Sequence, residues 1–286
     1  VTTLASGEVH WSATSRDDTT SLFGASAASR IADPVQPKRV FSWLLSRTTD
    51  DRGNVVEYDY VAEDLAGLPL GKPREAHRKA GLAPVTANRY LKRVRYGNTV
   101  VGDAASCKLE LVFDYGDHPE AIPTPTPSAT WPCRQDPFST YRAGFEIRSY
   151  RLCRRVLMFH RFPELPLVPL LVRALELTYE ESPRMTRLTS VTERGYAHDG
   201  ASYSSAPLPT LTLSYTSDAF TLRVRDLGPA ELGSDYPARQ TGSSATWVDL
   251  DGEGLPGVLI DDGGSHRYKP NRGGRKLHAA RVLPTR

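Results

Sequence analysis

The 286-residue sequence has few of the features that mark a disulfide-linked domain or a helical membrane protein. Its only cysteines are Cys107, Cys133 and Cys153, which are widely spaced and form no Cys-x-x-Cys pair, so neither a disulfide framework nor a zinc site is predicted. We expect three ordinary buried thiols. No run of eighteen or more apolar residues occurs, so no segment is predicted to cross a bilayer as a helix.

The common catalytic motifs are also missing. The sequence contains no Gly-x-Ser-x-Gly, no His-Glu-x-x-His and no P-loop. Asp114 and Asp117 flank Gly116 and are interpreted as part of a turn rather than as paired catalytic carboxylates. The 36 basic and 33 acidic residues give a net charge of +3 spread along the chain, which argues against a nucleic-acid partner. We therefore predict a protein that is not an enzyme.

Helix signals are scarce, and residues 85–92 are the one place where a short helix is predicted. Strand signals recur along the chain instead. Val56, Tyr58 and Tyr60 alternate with Glu57 and Asp59, the period of a half-buried strand, and the turn at residues 51–54 predicts a hairpin with residues 39–49. The sequence therefore predicts an all-β fold with a large, multi-stranded twisted sheet. Six prolines between Pro119 and Pro137 predict an extended surface loop.

Residues 145–162 form a run of eighteen residues without Gly or Pro, rich in aromatic and β-branched side chains. This composition predicts one very long strand or two strands joined by a bulge, with a buried helix as the competing interpretation. The run carries Arg148, Arg151, Arg154 and Arg155, which strict alternation divides between two faces. We expect these arginines to pair with acids on adjacent strands or to face a polar lumen.

A different composition begins after residue 217. Within it, Asp249, Asp251 and Glu253 occupy positions one, three and five of an acidic, glycine-containing segment, a spacing that resembles a calcium loop. The ninth position, where a further carboxylate is usual, is Gly257. Two interpretations stay open: a calcium site on these three residues, or a metal-free acidic turn between two strands.

Six longer segments carry a more specific signal. They are SRIADPVQPKRVFSWLL (29–45), TTDDRGNVVEYDYVAED (48–64), ANRYLKRVRYGN (87–98), VFDYGDH (112–118), FSTYRAGFEIRSYRLCRRVLMFHRF (138–162) and WVDLDGEGLPGVL (247–259). With these segments, essentially the whole chain resembles the plasmid virulence B protein family and the related B components of bacterial insecticidal toxin complexes.

The resemblance implies a non-enzymatic component of a secreted toxin, with a cytoplasmic stage before release. In such toxins the sheets of the B component form part of a hollow shell, which a C component with Rhs repeats completes and which encloses a toxic effector. A β-propeller of the B component docks on a pore-forming A component. By this resemblance we expect residues 1–217 to be shell wall, residues 218–246 a connector, and residues 247–286 the incomplete first FG-GAP-like blade of a propeller, so that the natural protein continues past Arg286.

Some members of the family end in an ADP-ribosyltransferase domain. That activity needs an Arg, a Ser-Thr-Ser strand and a Glu-x-Glu pair in order, and this sequence has no Ser-Thr-Ser. The activity therefore does not carry over. The alternative hypothesis is a calcium-dependent adhesion or binding module, which rests on the acidic loop at Asp249.

Overall fold

The computed structural model describes residues 2–3, 9–69, 71–72, 75, 86–216, 228, 244–273 and 276–284. The chain divides into two compact units, Val1–Tyr215 and Thr216–Arg286. The predicted connector, residues 218–246, lies outside the described residues except for Gly228 and residues 244–246. Each unit is described by itself below.

The first unit is built from sixteen strands: β1 (Thr2–Thr3), β2 (Val9–Thr14), β3 (Thr20–Phe23), β4 (Arg30–Ala32), β5 (Val40–Trp43), β6 (Leu45–Thr49), β7 (Val55–Ala62), β8 (Arg89–Asn98), β9 (Cys107–Asp114), β10 (Phe138–Thr140), β11 (Ile147–Ser149), β12 (Arg155–His160), β13 (Leu170–Glu180), β14 (Arg187–His198), β15 (Tyr203–Pro207) and β16 (Leu211–Thr212). Two 3-10 turns, Ala27–Ser29 and Ala104–Ser106, are described in full, and Glu75 also has 3-10 conformation.

Twelve of these strands form one antiparallel sheet in the order β1-β2-β3-β6-β7-β8-β9-β12-β13-β14-β15, with β16 also pairing with β14. The pairs β4–β5 and β10–β11 form separate two-stranded sheets. The predicted hairpin is confirmed, because β6 pairs with β7 and Thr49 lies opposite Val55. Most neighbours in the sheet are also neighbours in sequence, as expected of short antiparallel connections. The all-β prediction with a large sheet is thus confirmed.

The centre of the sheet carries the main hydrophobic core. Val112 of β9, Leu157 and Phe159 of β12, and Leu171 and Ala174 of β13 are at most 1% exposed and pack together. Register explains the cluster, since Leu157 lies opposite both Val112 and Ala174. Burying a side chain of this size contributes about 1.5–3 kcal/mol relative to leaving it in water.

Two predictions about local structure are wrong. Residues 145–162 are not one long strand, because β11 pairs with β10 while β12 belongs to the twelve-stranded sheet, and residues 150–154 between them are irregular. The predicted helix at residues 85–92 is also not formed in its described part, where β8 begins at Arg89. In both cases the pairing with strands from other parts of the chain decides the local structure, against the preference of the local sequence.

The second unit contains a four-stranded antiparallel sheet in sequential order. Its strands are β17 (Ser244–Val248), β18 (Gly257–Asp261), β19 (His266–Lys269) and β20 (Arg281–Val282). Val258, Ile260 and Tyr268 are fully buried and form its small core. The Tyr268 hydroxyl donates to the Val248 carbonyl at 3.2 Å, which links the third strand back to the end of the first.

The turn after β9 provides a test of packing in the first unit. Gly116 has φ of 90°, and a Cβ at this position would lie 2.9 Å from Cδ of Pro132. We expect Gly116→Ala to lower the free energy of unfolding by about 2–4 kcal/mol, because it adds a steric clash to backbone strain. Urea unfolding followed by circular dichroism measures this loss.

Gly200→Ala is the matched control, because Gly200 has φ of 98° and an added Cβ would meet no atom within 4 Å. This variant should lose only the backbone contribution, about 1–2 kcal/mol. Equal losses in the two variants would contradict a tight contact between the turn and Pro132.

Candidate functional site

The run of residues 145–162 carries four arginines that take part in ion pairs. Each of its four arginines pairs with a carboxylate: Arg148 with Glu75, Arg151 with Glu63, Arg154 with Glu181 and Arg155 with Asp114. The predicted pairing with acids is thus confirmed, but only Arg155 and Asp114 lie opposite each other on adjacent strands, as was expected of all four pairs. Strict alternation does not decide which way the arginines point, because residues 150–154 lie between strands.

The pair between Arg151 and Glu63 is completely buried, with both side chains 0% exposed. Nε of Arg151 donates to Glu63 Oε2 at 3.0 Å, and Nη1 donates to the Trp131 carbonyl at 2.7 Å. The guanidinium also lies 4.5 Å from the centre of the Trp131 ring, a cation–π contact. Tyr90 donates its hydroxyl to Glu63 at 3.2 Å. Protein groups therefore bind both the guanidinium of Arg151 and the carboxylate of Glu63.

Asp114, at the end of β9, organises the turn that follows. One oxygen accepts the backbone N–H groups of Gly116 at 2.7 Å, Asp117 at 3.1 Å and His118 at 3.3 Å, and the other accepts Nε of Arg155 at 2.6 Å. Burial alone raises the pKa of Asp114, but the Arg155 charge and these hydrogen bonds outweigh it and hold the pKa below its usual value. Asp114 is a structural anion.

Lys92 forms the centre of a second buried cluster. Its ammonium donates to both Asp117 oxygens at 2.9 and 2.7 Å and to the Phe113 carbonyl at 3.1 Å, and lies 3.0 Å from His118 Nε2. His118 Nδ1 lies 2.7 Å from the Thr124 carbonyl, so Nδ1 carries the proton and Nε2 accepts from Lys92. Burial and the Lys92 charge lower the pKa of His118, which is neutral in this arrangement.

Sequence reasoning did not bring Asp114, Asp117 and His118 together as a cluster. In the described residues they are the one set of three potential metal ligands whose donor atoms all lie within 4.8 Å of one another. Their charge is already balanced, because Lys92 binds Asp117 and Arg155 binds Asp114. The signal that could have found the cluster is the spacing in FDYGDH, where a glycine turn folds both acids back toward one strand end.

The proline-rich segment lies over this end of the sheet as a loop, as predicted. Its carbonyls are held by side chains: Arg93 donates to Pro125 O at 3.0 Å and Arg155 to Pro119 O at 2.9 Å. The amides of Ser128 and Ala129 donate to the Asp117 carbonyl at 2.8 and 3.1 Å. An open pocket of about 550 Å³ remains beneath residues 127–131, with Lys92 and Asp117 in its wall.

The predicted calcium residues lie between β17 and β18. Asp249 accepts the amides of Gly252 at 2.8 Å, Glu253 at 3.3 Å and Gly254 at 2.7 Å, and these backbone bonds lower its pKa. Asp251 pairs with Arg281. Backbone amides of the loop itself thus bind the Asp249 carboxylate. Calcium binding by Asp249, Asp251 and Glu253 stays a prediction.

The all-β fold with its large antiparallel sheet matches solved structures of bacterial toxin complexes. The fold matches the crystal structure of TcdB2-TccC3 with a TM-score of 0.74 and 31% identity, over 96% of this chain and 14% of the other. It matches the Tc holotoxin pore of Photorhabdus luminescens with a TM-score of 0.72 and 31% identity, over 96% of this chain and 13% of the other. The resemblance inferred from sequence is thus confirmed.

The chain belongs to the family described as Salmonella virulence plasmid 65kDa B protein, whose family model matches residues 1–162. It is 38% identical over 206 residues to the mono(ADP-ribosyl)transferases SpvB of Salmonella typhimurium and Salmonella dublin, a match that covers 65% of this chain. It also matches the N-terminal domain of the effector protein SpvB from Salmonella typhimurium strain LT2, with a TM-score of 0.62 and 35% identity over 68% of this chain and 63% of the other. The match spans about a third of the length of the curated relatives.

The buried Arg151–Glu63 pair leads to a test of stability. Arg151→Met leaves the Glu63 carboxylate without a counter-charge and should lower the free energy of unfolding by about 3–5 kcal/mol. Arg154→Met is the control, because Arg154 is 30% exposed in its pair with Glu181 and should cost about 0–1 kcal/mol. Urea unfolding of both variants measures the difference; similar small losses would show that the pair does not stabilise the unit.

The His118 cluster predicts a pH dependence. Since the pKa of His118 is lowered in the folded state from about 6.5, its contribution to stability is present above pH 6.5 and is lost as the pH falls below that value. We expect stability to decrease by at most about 1.4 kcal/mol per pH unit from this group. Unfolding at pH 7.5, 6.5 and 5.5 measures the slope.

Replacing His118 should remove its contribution to the pH dependence of the free energy of unfolding. His118→Gln keeps one donor and one acceptor but does not titrate, so its stability should decrease less steeply than that of the unmodified chain. Parallel curves for His118→Gln and the unmodified chain would disprove a neutral, buried His118.

Proposed function

We propose that this chain is a non-catalytic wall segment of a secreted toxin complex. In this proposal the twelve-stranded sheet is part of a shell that encloses a toxic effector and that a C component with Rhs repeats completes. The observation that carries the proposal is the extent of the match to TcdB2-TccC3, which covers 96% of the chain at 31% identity and so includes both compact units.

The chemistry of the sheet supports a wall. The described side chains around Lys92, Asp114 and Arg151 satisfy one another through ion pairs and hydrogen bonds, which holds a large sheet and its loop in one arrangement. Apolar side chains lie exposed at the end of the sheet, with Leu211 62% and Tyr215 50% exposed. Exposed apolar groups beside a sheet edge favour contact with further protein.

The second unit supports the propeller part of the proposal. Its four antiparallel strands in sequential order have the form of one propeller blade. We infer that this blade belongs to a propeller that docks the complex on a pore-forming A component. One blade cannot close a propeller, so this role requires further blades from the same protein.

The name of the curated relatives bears on whether this chain is catalytic. They carry the name mono(ADP-ribosyl)transferase, but the matched region spans only 33% of their length. We therefore propose that this chain contributes structure and not ADP-ribose transfer.

The described residues contain no helix that is both long and apolar enough to span a membrane. By the resemblance to secreted toxin components, we propose that the protein is released from the cell after a cytoplasmic stage.

An exchange experiment tests the proposal. The segment of TcdB2 that aligns with this chain is replaced by residues 1–286, and the chimera is produced with TccC3. We expect the two components to co-purify as a particle of the parental size, with the TccC3 hypervariable C-terminal region as resistant to added protease as in the parent. Size-exclusion chromatography and timed proteolysis are the measurements.

The same chimera with Arg151→Met is the control and should lose assembly or protection, because its wall segment is destabilised. A correctly folded chimera that fails to associate with TccC3 would argue against the wall role. Transfer of ADP-ribose from NAD to lysate proteins by the 286-residue chain alone would disprove its non-catalytic part.

A further inference from the structure

Lys92 and Asp117 form a buried contact between an amine and a carboxyl group in the first unit. Lys92 lies in β8 and is 7% exposed, and Asp117 lies in the turn after β9 and is 5% exposed. Nζ of Lys92 lies 2.9 Å from Oδ1 and 2.7 Å from Oδ2 of Asp117. Because Nζ reaches both oxygens, it also lies close to the Cγ atom that bears them, and a reaction needs its atoms about 3–3.5 Å apart. The two reactants of an amide bond are therefore held together.

The ring of His118 supplies a proton acceptor at this amine. Its Nε2 lies 3.0 Å from Nζ of Lys92 and 3.7 Å from Oδ1 of Asp117. Since Nδ1 faces the Thr124 carbonyl at 2.7 Å and holds the ring proton, the lone pair of Nε2 is directed at the amine. A histidine within hydrogen-bond reach of a nitrogen can take a proton from it and pass that proton to a neighbouring oxygen.

A backbone amide also binds the carboxyl group. The N–H of Tyr115 donates to Oδ1 of Asp117 at 3.1 Å, and an amide in this position stabilises the negative charge that develops on that oxygen when Cγ is attacked. The rings of Tyr90, Tyr115 and Trp131 form a buried cluster beside the pair, with Nζ of Lys92 at 5.7 Å from the centre of the Tyr115 ring. Apolar surroundings favour a neutral amine and acid over two charges. The pocket beneath residues 127–131 gives a released water molecule a way out.

We propose that Lys92 and Asp117 join in an isopeptide bond, a covalent cross-link between β8 and the turn after β9. One proton passes from the Lys92 ammonium to Oδ2 of Asp117, and the neutral amine then attacks Cγ. Nε2 of His118 takes a second proton from the nitrogen and returns it to the departing Oδ2 hydroxyl, which leaves as water. The ammonium and the carboxylate thus become one amide and one water molecule, and the reaction requires no oxidant or cofactor.

Proximity makes this condensation favourable inside the folded chain. Hydrolysis opposes amide formation between separate molecules in water, but well-oriented groups in one molecule react with effective concentrations of about 10⁵–10⁸ M. The cross-link also replaces two buried charges by a neutral amide. The proposal is independent of the wall function, since the reaction needs neither a C component nor an effector.

Intact-mass spectrometry of the purified 286-residue chain tests the proposal. We expect a species lighter than the sequence by one water molecule, in a fraction that grows during incubation at pH 7.5. Digestion with trypsin should then yield a branched peptide that joins the side chains of Lys92 and Asp117, with no cleavage after Lys92. A mass equal to that of the sequence after about one week at 37 °C would overturn the proposal. A loss of water found only in linear peptides would also overturn it, because a succinimide at an aspartate loses water without forming a branch.

Lys92→Arg is the matched control, because arginine keeps the positive charge for Asp117 but stays protonated and cannot attack a carboxyl carbon. This variant should keep the full mass, and the same loss of water as in the unmodified chain would overturn the assignment to Lys92. His118→Gln lacks the proton acceptor and should form the cross-link about a hundredfold more slowly. An unchanged rate would overturn the role of His118. If Lys92→Arg does not fold, the presence or absence of the branched peptide in the unmodified chain decides.

Discussion

The buried pair of Arg151 and Glu63 is the interaction on which the first unit most depends. It joins the segment after β11 to the segment after β7, and it includes Trp131 of the proline-rich loop through a hydrogen bond and a ring contact. Because both side chains are 0% exposed, neither charge can be left unpaired without a penalty of several kcal/mol. Three distant parts of the chain are therefore held in one arrangement.

The need of polar groups for hydrogen-bond partners also explains how the proline-rich loop is held against the sheet. Proline has no backbone N–H and so cannot complete a sheet ladder, which leaves the loop outside the sheet. Its carbonyls still need donors, and Arg93, Arg155 and His118 provide them. Side chains from β8, from the turn after β9 and from the start of β12 thus bind the loop that the sheet itself cannot include.

In the network around Lys92, Asp114 and Arg151 the charged side chains are bound to one another. His118 holds its proton on Nδ1 toward Thr124 and accepts from Lys92, so neither ring nitrogen is left for a substrate. Asp114 and Asp117 each bind a cation of the chain.

The sequence by itself determined the all-β class and the β6–β7 hairpin, because alternation and turn residues are local constraints. For the four arginines it left two alternatives, acidic partners or a polar lumen. Only the tertiary structure decided that residues 145–162 divide between two sheets and that Lys92 meets Asp117 and His118. Those outcomes depend on contacts between residues far apart in the chain. No local pattern specifies which carboxylate reaches which cation, since that choice follows from strand order and register.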